Sequence, residues 1–396
     1  MGKSKKKIKI KHRKYSFYSK KKSKGKQALT IIIMIVVVIG LCVVGYGLGK
    51  PLMDYFSGKT SQPEQTTAST SSSSLPTEEA DEPTVEVQDT AEAGPENEPE
   101  KPASAFRISV ASMKNADTLK NALTSAKSQG YDTVLLTLKT DGGQFLYKTE
   151  SEVMRYGTTN IVGTLTAKEI ADIVKAQGMA AYAEISTLKD PLTGDYAVNM
   201  RYNTADGYGW LDAAYDNGGK SWLSPFEQDT VDFMADITAE LAKAGFDKVI
   251  LRDVMYPMFK EVDYSYYLSN MPQLTDNSAR LTALWNVVAA CNAAAKSNGA
   301  EVMLQVDSAD VFAAELLGTT AEAFCDKDKL TTVNIVVDYT AESGAVYAAA
   351  KSFVGRMSST YGTLKYSVSI DESLSDAQAQ DIAKAFAESG IPVFSE

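Results

Sequence analysis

The residues of this chain best placed to do chemistry are carboxylates at the ends of short apolar runs. Asp141 follows TVLLTL (133–138), and Glu184 lies in MAAYAEI (179–185) with Asp190 just beyond. Asp253 ends KVILRD (248–253), Asp307 ends EVMLQVD (301–307), Asp338 lies in NIVVDYT (334–340), and Asp371 ends KYSVSID (365–371). Two carboxyl groups facing each other across a cleft can divide proton transfer between them. One stays protonated as the acid, and the other is ionised as base or nucleophile, the arrangement that cleaves a glycosidic bond. Mutual repulsion in a ring of acids raises some of their pKa values. An acid after a strand is also a common N-cap or turn residue, and for any one of these positions that structural role is the default. Asp307 in VDSAD and Asp371 in IDESLSD look most like caps.

Histidine offers no alternative chemistry. The only one is His12, inside a basic N-terminal run, which leaves the rest of the chain without any. Ser-His-Asp and Cys-His catalysis are therefore excluded there, as are His-bound zinc sites. The sequence calls for no metal and no cofactor.

The elements that must hold these acids alternate regularly. FRISVA (106–111) and IPVF (391–394) bring the β segments to eight, separated by amphipathic helical stretches. Thr166, with Glu169 three residues on, marks one helix start as a capping box. The turn after the first β segment, ASMKN, lacks the glycines of a phosphate-binding turn in an open doubly wound sheet. The expected fold is an α/β (β/α)₈ TIM-like barrel over 106–396. Its strand ends share one rim, where reactive groups gather. Asp253, Asp141, Glu184 and Asp338 are the catalytic candidates, expected to converge on one pocket. Strand alternation would turn Arg252 away from the pocket that Asp253 enters.

A long loop, 186–221, carries Tyr196, Tyr202, Tyr208, Trp210 and Tyr215, with Trp222 just past its end. Aromatic faces pack against the apolar side of a pyranose, which makes Trp210, Trp222 and Tyr208 candidate sugar contacts. Packing of the loop onto the barrel rim is the competing explanation. Trp285, spaced with Leu281, Leu284 and Val288, belongs to a helix core face.

The N-terminal quarter has a different composition. Residues 1–26 hold 13 Lys/Arg and no acid, and 28–49 is an uncharged apolar run. That run is long enough to span a ~30 Å hydrocarbon core at about 1.5 Å per residue. It exceeds a signal-peptide h-region and lacks a small-x-small cleavage site, so a retained anchor is expected. The basic tail (1–27) would stay cytoplasmic and the C-terminal domain would lie outside. Residues 50–105 read as a Ser/Thr/Pro/Glu-rich disordered linker. With the 14 basic residues of 1–53 removed, 26 basic side chains face 50 acidic ones, a formal charge of −24. A domain so acidic is a poor partner for nucleic acid.

The segment 221–257 carries a resemblance. Trp222, Pro225, Gly245, Phe246, Asp247, Asp253, Tyr256 and Pro257 fall on a W-x-x-P opening and a GFD-E-I-Q-F-D-Y-[IV]-R-F-P run. Lys248 and Met255 replace that run's Glu and Arg. KTDGG (139–143) approximates a K-D-x-x-G run with a one-residue shift, and AEISTLKDP (183–191) follows A-R-I-x-x-F-K-D-P with Glu184 for Arg. Over about 106–260 the chain thus resembles the bacterial family described as "Putative glycosyl hydrolase domain". The resemblance implies a barrel with a polysaccharide-facing cleft, and it adds Asp190 and Tyr256 to the substrate-binding candidates. Two functions follow as expectations. One is a membrane-anchored extracellular glycosidase acting on peptidoglycan or another polysaccharide. The other is a catalytically silent barrel serving as glycan-binding or envelope scaffold.

Overall fold

The computed structural model describes residues 104–155, 157–312, 327–340, 345–362, 364–370 and 374–395. Eight parallel strands close into a barrel in chain order. They are β1 (Ala105–Ile108), β2 (Thr133–Lys139), β3 (Ala180–Ser186), β4 (Lys248–Arg252), β5 (Glu301–Asp307), β6 (Asn334–Tyr339), β7 (Tyr366–Ile370) and β8 (Val393–Ser395). Closure comes from β8 pairing with β1 through Ala105↔Phe394 and Phe106↔Ser395. The basic tail, the apolar run 28–49, the linker up to 103 and Asp371 lie outside the described residues, and Ala105, expected in the linker, begins β1. Among those described, no helix is long and apolar enough to cross a membrane.

Six helices of ten or more residues cover the barrel among the described residues: α1 (Ala116–Ser128), α2 (Ala167–Ala176), α3 (Gln228–Ala244), α4 (Asn277–Lys296), α5 (Val346–Tyr361) and α6 (Asp376–Ala387). Two starts show why the helices begin where they do. Asn115 accepts from the amides of Asp117 and Thr118 at the head of α1, and Thr166 and Glu169 form the expected box on α2. Gly245, at φ +106°, ends α3 in a left-handed turn that a side chain would disfavour. Ile170, Val174, Phe233, Ile237 and Leu241 face the sheet and are fully buried or nearly so. Each such burial stabilises by roughly 1.5–3 kcal/mol.

The barrel interior has two unlike layers. Ala105, Leu135, Tyr182, Ile250, Met303, Val336 and Phe394 form an apolar plug. Side chains two residues on point the same way along a strand. Two residues past six of these plug positions stand Arg107, Thr137, Glu184, Arg252, Gln305 and Asp338. The floor is apolar, while the layer at the C-terminal mouth is polar on six consecutive strands.

Candidate active site

Glu184 sits at the centre of the polar layer and is fully buried. Arg107 grips it with two bonds, Nη1 to Oε1 at 2.9 Å and Nη2 to Oε2 at 3.0 Å. Arg252 Nη1 donates to Oε1 at 2.8 Å, and the Thr137 hydroxyl adds a further bond at 3.0 Å. Burial alone would raise the Glu184 pKa, but the charges of Arg107 and then Arg252 outweigh it and hold the carboxyl below its ordinary value. Glu184 is thus an ionised, saturated anchor, and its environment does not suit a proton donor.

Arg252 faces inward, contrary to the orientation expected from its alternation with Asp253. The reason lies in the backbone. The strand ends at Arg252, and Asp253 has φ +54°, the only positive φ among the described non-glycine residues. Arg252 follows the interior Ile250 by two residues, so alternation within β4 itself turns it inward. The left-handed step, which costs roughly 1–2 kcal/mol for an L-residue, redirects Asp253 instead. The Arg252 carbonyl is fixed by the Thr187 amide (3.0 Å) and hydroxyl (2.7 Å), so the turn is held by the loop after β3. Asp253 is half-buried, and its Oδ2 is buried without a hydrogen bond.

Arg252 is also the common neighbour of the remaining acids. Burial opposes its charge, but Glu184, Asp253 and Asp338 together raise its pKa. Gln305 Nε2 donates to Asp338 Oδ2 at 3.1 Å. Asp141, on the outer rim, pairs with Lys189 at 2.7 Å. The Lys189 hydrogen bond, aided by the charges of Lys189, Arg252 and Lys220, holds its carboxyl below the ordinary value. Asp141 is therefore set up as an ionised group. Among the described residues no cluster of His, Cys, Asp and Glu is arranged to hold a metal ion.

Four of the expected sugar contacts are enclosed by protein. Trp210 is 3% exposed, with Nε1 donating to Asp263 at 2.9 Å. Trp222 is 8% exposed, with Nε1 donating to Asp212 at 3.0 Å. Tyr256 is buried with its hydroxyl on the Arg280 carbonyl at 3.0 Å. Asp190 is fully buried, capping the short helix Pro191–Tyr196 through the Thr193 amide and pairing with Lys139 at 2.9 Å. Stacking on a sugar needs an open ring face, which burial removes from Trp210, Trp222 and Tyr256, and Asp190 is enclosed as well. Tyr208 alone of the set is open, at 74% exposure. Asp307 holds the turn it was expected to hold, accepting from the Ala309 amide at 2.7 Å.

Residues 105–377 match the family model described as "Putative glycosyl hydrolase domain". The chain belongs to this family. Its fold is also similar to the glycoside hydrolase domain of PgaB (BpsB) from Bordetella bronchiseptica. The TM-score is 0.52 at 11% identity, over 75% of this chain and 94% of that one. The catalytic domain of beta-amylase from Paenibacillus polymyxa aligns with a TM-score of 0.47 at 12% identity, over 74% and 91% of the two chains. At such identities the likeness is one of fold. No curated protein is significantly similar in sequence.

With the family assigned, its motifs can be placed in three dimensions. GFD is scaffold: Phe246 is buried and Asp247 Oδ2 accepts from the Ala181 amide at 2.8 Å. Lys139, Gly143 and Asp190 join the loops after β2 and β3, since a Cβ on Gly143 would stand 2.2 Å from Asp190 Oδ1. Laid without gaps from Gly245 to Pro257, the motif's second Asp falls on Arg252, and Asp253 follows it by one residue. That corrects the match of Asp253 to the motif's acid. The Arg of the A-R-I run is Glu184, so the bonded pair Glu184–Arg252 occupies the motif's Arg and Asp positions with the charges exchanged.

Proposed function

We propose that this barrel hydrolyses glycosidic bonds, with Asp253 and Asp338 as the working carboxylates at its mouth. The observation that carries the reading is Asp253 itself, a strained left-handed residue with a buried carboxylate oxygen lacking a bond. Strain of this kind persists only where surrounding structure imposes it, and it gathers at functional sites. Asp338, on β6, is the second carboxylate because it too acts on Arg252. Arg252, bonded to Glu184, supplies a positive charge that both acids act on. Asp141, held ionised by Lys189, stands at the rim as a contact for substrate hydroxyls. The substrate class is a polysaccharide, as the family implies. With the apolar run 28–49 as an anchor, the domain would act outside the cell on envelope or environmental glycan.

A second reading is favoured by one observation. Arg252 stands where the family motif carries an acid, which fits a barrel that binds glycan without cleaving it. The two readings separate on a single assay. The full chain is incubated with peptidoglycan and a panel of polysaccharides, beside Asp253→Asn, and new reducing ends are counted. The hydrolase reading expects release by the parent and none by the variant. Binding of a polymer with no release by either protein overturns it in favour of the silent barrel.

A further inference from the structure

Among the described residues, the exposed aromatic rings, Tyr208, Tyr215, Tyr266 and Tyr267, are not the ones the motifs point to. Tyr208, Tyr266 and Tyr267 are 74, 62 and 44% exposed. They belong to the loops after β3 and β4, the two strands that carry Glu184, Arg252 and the approach to Asp253. The loops are joined to one another. The Ala205 amide donates to the Tyr267 carbonyl at 2.8 Å, and Lys260 Nζ donates to the Asp212 carbonyl at 3.3 Å.

Each ring stands on rigid support. Tyr208 is at the tip of a hairpin closed by the Asn203↔Gly209 bridge and by Thr204 N to Tyr208 O at 2.7 Å. The hairpin root, Tyr202 and Trp210, packs on Phe259 with ring centroids 5.4 and 5.1 Å away. Tyr266 and Tyr267 sit on a single π-helical turn, Asp263–Tyr267, with their rings edge to face at 5.1 Å. Such turns are rare and are enriched at functional sites. Buried Asp263 locks it to the hairpin root, accepting from Trp210 Nε1 and from the Lys260 amide at 2.7 Å.

Large rings open to water carry a hydration cost that a buried Tyr would not. They are tyrosines rather than aliphatic residues, so each offers a flat apolar face together with a hydroxyl at its edge. A pyranose has the matching character, with an apolar C–H face and a rim of hydroxyls. We propose that Tyr208, Tyr266 and Tyr267 form a platform on which a neutral glycan chain stacks as it leads into the barrel mouth. This deepens the hydrolase reading and rests on it for the choice of ligand. The enclosed Trp210 then supports the platform from below.

Affinity electrophoresis tests the platform independently of turnover. The full chain, in neutral detergent, is run through gels carrying the uncharged polymers hydroxyethyl cellulose, laminarin or glycol chitin. At least one polymer is expected to retard the parent protein. Combined Tyr208→Ala, Tyr266→Ala and Tyr267→Ala should weaken that binding about tenfold or more, with the melting temperature unchanged because the rings are exposed. Replacing all three by Phe should keep the binding, since the ring faces remain. Equal retardation of the parent and the triple Ala variant overturns the platform, as does retardation of the parent by none of the three polymers. Hydrolysis of the same polymers is scored beside it. Retardation lost in the triple Ala variant, without cleavage by the parent, keeps the platform and rejects the enzyme. Cleavage with an unchanged KM in the triple variant does the reverse.

Discussion

At the scale of single residues, the site turns on how each acid is neutralised. Glu184 was legible as an inward carboxylate near a strand end. What a sequence does not show is that Arg107 and Arg252, 77 and 68 residues away, close on it together. Removing the charge should expose that role. Glu184→Gln leaves two guanidiniums around a neutral amide and is expected to cost about 3–5 kcal/mol of stability. The pH dependence has a definite sign. With the folded pKa depressed, the stabilisation is complete above the unfolded carboxyl value near ~4.3 and is lost as pH falls through the lower folded value. Melting curves of the parent should therefore fall steeply below about pH 4, and those of Glu184→Gln less so. A variant melting like the parent at pH 7 would show that the anchor does not stabilise the fold.

Asp310 gave no signal in the sequence, because nothing in VDSAD marks it for burial. It is 5% exposed, and burial, with Asp307 adding repulsion, pushes its carboxyl up to about 6. An acid with a raised folded pKa is stabilising when protonated and loses that benefit as pH rises from about 4 to above 6. Asp310→Asn is expected to raise the melting temperature at pH 7.5 and to leave it unchanged at pH 4. Equal effects at both values would place the cause elsewhere.

Among the elements, strands were read to within a few residues at either end. Short β-branched runs between glycines and capped helices have few other interpretations. Loops were harder to read, for a physical reason. An aromatic in a long loop can be a floor or a surface, and residue type does not distinguish them. Trp210 and Trp222 became floor because Asp263 and Asp212 lie within reach of their indole nitrogens. In the KTDGG and KDP motifs, which invited a catalytic and a substrate-binding reading, Lys139, Gly143 and Asp190 form a buried junction between the β2 and β3 loops, while Asp141 stays on the exposed rim. Lys139→Met should leave Asp190 charged and unpaired in the interior and cost about 3–5 kcal/mol. Adding Asp190→Asn should recover part of that loss, since neighbouring substitutions couple. Chemical denaturation of the two variants measures both, and purely additive losses would argue against a coupled pair.

At the scale of the whole molecule, the barrel was legible from its alternation and so was the rim that holds the acids. Asp253 was already a leading candidate there, but its left-handed backbone was not legible, since no pattern in KVILRDVMYP announces a positive φ. The N-terminal composition supports an anchored domain. Protease added to intact cells should cut within 57–105, a polar and proline-rich stretch, and release the barrel. Recovery of an untreated free domain starting just after Gly49 would make the apolar run a cleaved signal instead.

The central claim is that the Asp253 carboxylate performs proton transfer or nucleophilic attack at the mouth of the barrel, and chemical rescue tests it most directly. Asp253→Ala removes the carboxylate and opens a space that formate can enter. On whichever polysaccharide the parent cleaves, the variant should lose about 10²–10⁴-fold in rate while keeping its melting temperature. Added formate should then restore part of that rate in the variant and leave the parent unaffected. A variant that turns over like the parent, or one that stays folded yet gains nothing from formate, would contradict the assignment.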